Sequence, residues 1–229
     1  MNVSMIMPVY NEEHRVEEAV RRCLVQSFAH QLIVVDDGSK DQTQKILERI
    51  ASTDSRIIFL KHAKNSGKGA AIRTAWSHVS GDILAIQDAD LEYDPADYAR
   101  MFKLIIDGHA DVVFGSRFLG SEAHRVLYFW HSIANRALTT LSNMLSNINL
   151  SDMETGMKAF RWSVVKDIRI RENRFGFEPE ITAKVARKKL RIYEVAVSYR
   201  GRTYAEGKKI NWTDGLAALW FILKYNLAN

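Results

Sequence analysis

Residues 83–92 read Ile-Leu-Ala-Ile-Gln-Asp-Ala-Asp-Leu-Glu, an apolar run that stops on two carboxylates one residue apart. A short run with no polar alternation predicts a strand buried on both faces, and so a parallel sheet covered by helices on each side. The pattern repeats outward from this strand, which spans Asp82–Gln87. Upstream, Val3–Val9, Gln31–Val35 and Ile57–Leu60 read as strands, separated by helical patterns over Arg15–Phe28, Thr43–Ala51 and Lys68–Val79. Downstream, a helix after Pro95 leads to a strand at Asp111–Gly115. This alternation predicts an α/β fold with a mostly parallel sheet and helices on both faces.

The bulk numbers fit that class. The chain has 229 residues, 47% of them hydrophobic and 26% charged, with 12 Gly and 3 Pro. That composition suits one domain with a real core and no disordered tract. The lone Cys23 excludes an internal disulfide and points to a reducing compartment. Met1–Tyr10 lacks a basic leader and reads as a buried strand, so no secretory signal is expected. The uncharged run Gly215–Leu223 is far shorter than the roughly 20 residues a membrane span needs. Residues 151–229 carry 16 Lys/Arg against 9 Asp/Glu, whereas the whole chain is at +5. A basic final third suits an anionic partner, although a solvated surface gives the same composition.

Ligands of such sheets sit beyond the carboxyl ends of the strands, and polar groups cluster there. Pro8-Val9-Tyr10-Asn11-Glu12, Asp36-Asp37-Gly38-Ser39, Asp88-Ala89-Asp90 and Gly115-Ser116-Arg117 each follow a strand. Asp88 and Asp90 repel each other unless a cation lies between them. In an extended segment both would point to one side, a geometry suited to Mg²⁺ or Mn²⁺ bound by oxygen ligands, with Glu92 as a third oxygen. A helix cap or turn ahead of Pro95 is the plainer explanation of the same acids. Ser39 or Asp41 can cap the following helix, which leaves the acids of Asp36-Asp37 available to a nucleoside. Asn65-Ser66-Gly67-Lys68-Gly69 precedes a helix and suits an anion, but it lacks Walker spacing, and a glycine-rich turn explains it equally well. The histidines show no metal-ligand spacing, no Gly-x-Ser-x-Gly elbow occurs, and no nucleic-acid module is present.

In family order, Met7-Pro8-Val9-Tyr10-Asn11-Glu12, Val35-Asp36-Asp37-Gly38-Ser39-Lys40-Asp41-Gln42-Thr43, Gly67-Lys68-Gly69-Ala70, Asp88-Ala89-Asp90-Leu91 and Gly115-Ser116-Arg117-Phe118 resemble the family 2 glycosyltransferases. The likeness is strongest to the dolichyl-phosphate mannose and glucose synthase-like branch, and Asp152-Met153-Glu154-Thr155-Gly156-Met157-Lys158 and Tyr199-Arg200-Gly201-Arg202-Thr203-Tyr204 extend it. The resemblance implies a GT-A (Rossmann-like) fold and inverting transfer of a hexose from a nucleoside-diphosphate sugar, of the GDP-mannose or UDP-glucose/GlcNAc type. The implied acceptor is a dolichyl or undecaprenyl phosphate. Residues 1–229 would form one domain, with a donor half over 1–120 and an acceptor half over 121–229. Pro8, Tyr10, Glu12 and Asp37 would hold the nucleoside, with Lys68, Asp88, Ala89 and Asp90 along the diphosphate and sugar. Asp90, with Asp88 and Glu92, would bind Mg²⁺ or Mn²⁺. Arg117, Arg202 and Ser132 would face the acceptor phosphate, and Asp152 matches an acid needed for activity. The branch commonly has Gln at the position of Glu92, so an extra negative ligand is expected to tighten metal binding.

A phosphate monoester is largely dianionic at neutral pH and barely needs a base. A sugar hydroxyl needs one, and Asp152 is the candidate. The alternatives are a soluble glycan or small-molecule acceptor, and a non-catalytic sugar-nucleotide-binding scaffold. Val126, Trp130, Ile133, Ala137, Leu141, Met144 and Ile148 form a helical stripe within Arg125–Leu150, and Gly215–Leu227 is a second apolar stretch beside Arg200, Arg202, Lys208 and Lys209. These amphipathic C-terminal helices either pack on the domain or lie in a membrane interface. The expected location is cytoplasmic, peripheral at the cytoplasmic face of the membrane, where a homo-oligomer or a membrane-protein partner is also compatible. Phe175-Gly176-Phe177-Glu178-Pro179-Glu180 opens a further helix whose acids suit its N-terminus, with Glu180 a candidate to reach the site.

Overall fold

The structure, a computed structural model, describes residues 1–120, 125, 126, 128–203, 206 and 212–227. Tyr204, Lys208 and Lys209 lie outside the described residues. In chain order the elements are β1 (Val3–Val9), α1 (Val16–Leu24), β2 (Ala29–Asp36), α2 (Thr43–Ala51), β3 (Ile57–Lys61), α3 (Lys68–Trp76) and β4 (Ile83–Ile86). There follow a 3-10 turn (Pro95–Asp97), α4 (Tyr98–Ile106), β5 (Val112–Ser116), α5 (Phe129–Ser146), β6 (Lys158–Arg161), α6 (Trp162–Val165), α7 (Phe177–Arg187), β7 (Ile192–Ala196) and α8 (Trp212–Leu227).

The strands make one sheet of order β3-β2-β1-β4-β6-β5-β7. Neighbours pair in parallel except β6, which runs antiparallel between β4 and β5. Side chains alternate between the two faces of a strand, and each face has its own core. Val3, Met5, Met7 and Val9 of β1 pack with Leu32 and Val34 on one face. Ile6 packs with Ile33, Val35, Leu84 and Ile86 on the other. Each of these buried side chains contributes about 1.5–3 kcal/mol. Helix α1 buries Val16, Ala19, Val20 and Cys23, one side of a helix, with Glu17 and Glu18 in its first turn and Arg21 and Arg22 in its last, a charge order that favours the helix dipole.

Strands β6 and β7 lie outside the strands expected from the sequence. β6 is only Lys-Ala-Phe-Arg, with charges at both ends. Because it is antiparallel, it enters the sheet at the carboxyl ends of β4 and β5 and delivers residues 152–157 there.

The stripe expected of α5 is divided: Leu141 and Ile148, with Leu138 and Leu145, pack against the core, and the rest does not. Val126, Trp130 and Met144 are 88%, 75% and 74% exposed, and the helix buries Thr139 and Ser142 instead. Its polar face has the better partners. Asn143 Nδ2 donates to Leu150 O at 2.7 Å, and its Oδ1 accepts from Leu150 N at 3.0 Å. Thr139 Oγ1 accepts from Met153 N at 3.2 Å. Asn147 ends the helix in the left-handed conformation, as a residue beyond a C-terminus often does.

Candidate active site

Strand order reverses at β1, which has β2 on one side and β4 on the other. The crevice beyond the carboxyl ends of such strands is where an open α/β sheet admits a ligand. A cleft of about 1570 Å³ opens there. Pro8, Tyr10, Glu12, Asp37, Lys68, Asp88, Ala89, Asp90, Glu92, Arg117, Ser132 and Arg202 all line it, although they are scattered over most of the chain. Asp152 does not.

The acids after β4 are not extended. Ala89 and Asp90 form a turn and Leu91 has φ of 64°, so each acid meets a different cation. Lys68 Nζ lies 2.9 Å from Asp88 Oδ1 and 3.0 Å from Glu178 Oε1. Burial opposes the charge of Lys68, but Asp88 and Glu178 outweigh it and hold the ammonium above its ordinary range. Arg202 spans three carboxylates: Nη2 to Asp90 Oδ2 at 2.9 Å, Nε to Glu92 Oε1 at 2.8 Å and Nη1 to Glu12 Oε1 at 3.5 Å. Tyr199 donates to Glu92 Oε2 at 2.8 Å. Both oxygens of Glu92, expected as a third oxygen for a metal, are engaged here by Arg202 and Tyr199.

Among the described residues no three His, Cys, Asp or Glu side chains are grouped to hold a metal ion. A magnesium-type ion needs only one or two carboxylates when substrate phosphates complete its shell, and Asp90 fits that description. Its Oδ1 accepts from Glu92 N at 3.1 Å while Oδ2 turns to the guanidinium in the cleft. Burial, then repulsion from Asp88 and Glu92, pushes Asp90 up to about 7 against the pull of Arg202. Crowding of this kind is what a bound cation relieves.

Arg117 and Asp152 form a buried bidentate pair. Arg117 Nε donates to Asp152 Oδ2 at 2.6 Å and Nη2 to Oδ1 at 2.7 Å. Asn135 Nδ2 donates to the same Oδ1 at 3.2 Å, and Arg117 N donates to Oδ2 at 3.1 Å. The Asp152 side chain is fully buried. The expected base therefore has both oxygens occupied and no face on the cleft, so Asp152 positions Arg117. The guanidinium also lies 5.2 Å over the Tyr199 ring, a cation–π contact.

Asp37 holds the glycine loop. Its Oδ1 accepts from Ser66 N at 2.9 Å and Oδ2 from Gly67 N at 2.6 Å, and His62 Nδ1 lies 2.6 Å from Oδ1. The glycines of that loop answer to packing. A Cβ on Gly67 would meet Asn173 O at 2.3 Å, and one on Gly69 would meet Glu172 O at 2.3 Å. Asn65, Gly67 and Lys68 of the loop line the cleft, and Lys68 brings the charge. Asp41 caps α2, its Oδ1 accepting from Thr43 N at 3.0 Å, while Ser39 Oγ accepts from Asn11 N at 2.8 Å.

On α7 the two acids exchange their expected places. Glu180 is fully buried and accepts from Arg171 N at 2.7 Å and Glu172 N at 2.8 Å, away from the cleft. Glu178 reaches Lys68 inside it. Segment 152–157 supplies groups the sequence reading passed over. Gly156 packs under the acids: a Cβ there would fall 2.4 Å from Asp88 Oδ2. Glu154 lines the cleft, and burial, then the charge of Glu178, pushes its carboxyl up to about 8. Lys158 on β6 is buried beneath, its ammonium brought down to about 8 by burial. Only an antiparallel β6 brings these groups to the strand ends, and that strand has no clear sequence signal.

The family model described as Glycosyl transferase family 2 matches residues 4–169. A dolichyl-phosphate beta-glucosyltransferase of Trichomonas vaginalis is 30% identical over 215 residues, which cover 86% of this chain and 65% of that enzyme. The chain thus spans about two-thirds of that relative's length. A UDP-N-acetylglucosamine–dolichyl-phosphate N-acetylglucosaminyltransferase of Methanococcus voltae is 26% identical, over 96% of this chain and 94% of its own. The fold is shared with glucosyl-3-phosphoglycerate synthase of Mycobacterium tuberculosis, crystallised with Mn²⁺, UDP and glucosyl-3-phosphoglycerate. The TM-score is 0.74 at 19% identity, covering 100% of this chain and 81% of that one.

Proposed function

The chain belongs to glycosyl transferase family 2 and has its GT-A fold, and from that membership we propose that it transfers a hexose from a nucleoside-diphosphate sugar to a polyprenyl phosphate with inversion. One observation carries the reading. The cleft is lined by a charged set, in which Lys68 and Arg202 meet Asp88 and Asp90, and by an apolar set, Phe129, Trp130, Leu216 and Leu219, which remains exposed. A diphosphate suits the first and a lipid tail the second.

In this reading Pro8, Tyr10, Glu12 and Asp37 hold the nucleoside. Asp90 would hold Mg²⁺ or Mn²⁺, and the ion would screen the charge that builds on the leaving diphosphate. Lys68 screens the same group from its own side. Arg117, fixed in place by Asp152, orients the acceptor phosphate together with Arg202 and Ser132. A phosphate oxygen forms the new bond to the anomeric carbon from the face opposite the bond that breaks. The nucleoside diphosphate leaves with that bonding pair, and no general base is required. Residues 1–120 supply most of the donor side and 121–229 most of the acceptor side, with Glu178 of the second part reaching Lys68 of the first.

Radiolabelled UDP-glucose and GDP-mannose incubated with polyprenyl phosphate are expected to yield labelled lipid, and EDTA is expected to stop the reaction. Label passing only to water-soluble acceptors, or to none, would refute the lipid reading. The exposed Trp130 and Trp220, the latter 62% exposed, further suggest contact with a membrane interface. No helix among the described residues is long and apolar enough to cross a membrane. The protein is therefore expected to co-sediment with anionic liposomes and to be released by salt. Equal recovery with and without liposomes would count against it.

A further inference from the structure

We propose that Glu154 and Glu178 form the subsite for the hydroxyls of the transferred sugar, and that this subsite takes an uncharged hexose and rejects a hexuronate. The inference rests on the donor reading of the cleft above and extends it to the class of sugar. Among the described residues, the buried side-chain atoms without a hydrogen-bond partner are Gln87 Oε1, Ser142 Oγ, Glu154 Oε1 and Glu178 Oε2. Only the two glutamates of that set line the cleft. Glu178 is 4% exposed and its other oxygen is held by Lys68 at 3.0 Å. An acceptor left unpaired in the interior is costly, and a pair of them in one wall persists where a ligand brings the donors. Sugar hydroxyls are such donors.

Place and charge narrow the ligand further. Lys68 links Glu178 to Asp88, so the subsite adjoins the reacting end of the donor rather than its base. Gly156 leaves that wall open, since any Cβ there would strike Asp88. Behind it, Lys158 Nζ donates to Thr155 O and does not enter the cleft. A sugar carboxylate placed here would face the carboxylates of Asp88 and Glu178, with Lys68 already shared between them.

The test is calorimetric binding of UDP, UDP-glucose and UDP-glucuronate, with GDP, GDP-mannose and GDP-mannuronate alongside, to the whole chain. For the nucleotide that binds, the neutral sugar should bind at least roughly tenfold tighter than its uronate, a change of about 1.4 kcal/mol. Glu154→Leu should leave nucleoside-diphosphate affinity within about twofold, weaken the sugar nucleotide roughly tenfold and raise the melting temperature, because it removes an unpaired buried oxygen. Glu154→Gln, which keeps a donor and an acceptor, should fall between Glu154→Leu and the wild type. Equal affinity for neutral and uronate donors would overturn the proposal, as would a Glu154→Leu protein with an unchanged ratio of sugar-nucleotide to nucleotide affinity. If neither UDP nor GDP binds, the donor reading falls and this subsite falls with it.

Discussion

Replacing Asp152 with alanine should cost about 3–5 kcal/mol of stability, the usual penalty for leaving a buried charge without its partner, and should abolish transfer at the same time. For a chain of this size that is a fall in melting temperature on the order of 10 °C. The reason lies in the geometry of the pair. Arg117 gives both Nε and Nη2 to the Asp152 carboxylate, whose side chain is fully buried, while the arginine remains 18% exposed toward the cleft. Without the acid, the guanidinium is left in a low-dielectric wall and swings away from the acceptor. The double variant Asp152→Leu/Arg117→Met separates the two effects. Apolar replacements of similar volume can match or exceed a buried ion pair in stability, so the double variant should melt near the wild type and still fail to transfer. A single Asp152→Asn variant that keeps its melting temperature and loses only the basic form's activity in a pH profile would return Asp152 to the part of a general base.

The strand-by-strand pattern of residues 3–116 was legible because each strand is a short run of buried apolar residues, and a parallel sheet demands that pattern on both faces. The cleft-lining residues at the ends of those strands were legible for the same reason: Tyr10, Asp37, Asp88 and Arg117 follow strands whose position the pattern fixes. What the residues then touch was not. Asp88 and Asp90 looked like an extended pair, but the left-handed Leu91 and a turn send them to Lys68 and Arg202, and nothing in a local pattern reports a partner 112 positions away. Strand β6 was hidden because four residues with a charge at each end carry no periodicity, and with it went Glu154 and Gly156. Helix α5 shows a different failure. Its apolar stripe was visible, but only part of it faces inward: Leu138, Leu141, Leu145 and Ile148 pack on the core, beside Asn135, Thr139 and Asn143, which bond the 150–153 segment. Hydrogen bonds to buried backbone and to a buried carboxylate thus share the inward face with apolar packing, and Trp130, Ile133 and Met144 stay exposed.

Arg202→Gln should tighten Mn²⁺ binding about tenfold or more while cutting transfer on the order of a hundredfold. The guanidinium already serves as counter-charge to Asp90, Glu92 and Glu12. A divalent cation arriving at Asp90 has to share that carboxylate with it. A divalent and a unit charge about 5 Å apart repel by about 7 kcal/mol at an effective dielectric of about 20, and solvent in the open cleft reduces that figure. Loss of the arginine therefore favours the ion, whereas transfer suffers because the acceptor phosphate loses a cationic partner. Glu92 separates this account from a simple count of ligands. If Glu92 were a metal ligand, Glu92→Gln would weaken Mn²⁺ binding. With its oxygens engaged by Arg202 and Tyr199, the substitution should instead leave Mn²⁺ affinity within about twofold, since it removes a nearby charge but loosens the arginine as well. Mn²⁺ titrations followed by electron paramagnetic resonance, without donor present, decide the matter. An Arg202→Gln protein that binds the ion no tighter than the wild type would mean that the two cations occupy separate places, and Asp90 would lose its standing as the carboxylate they contest.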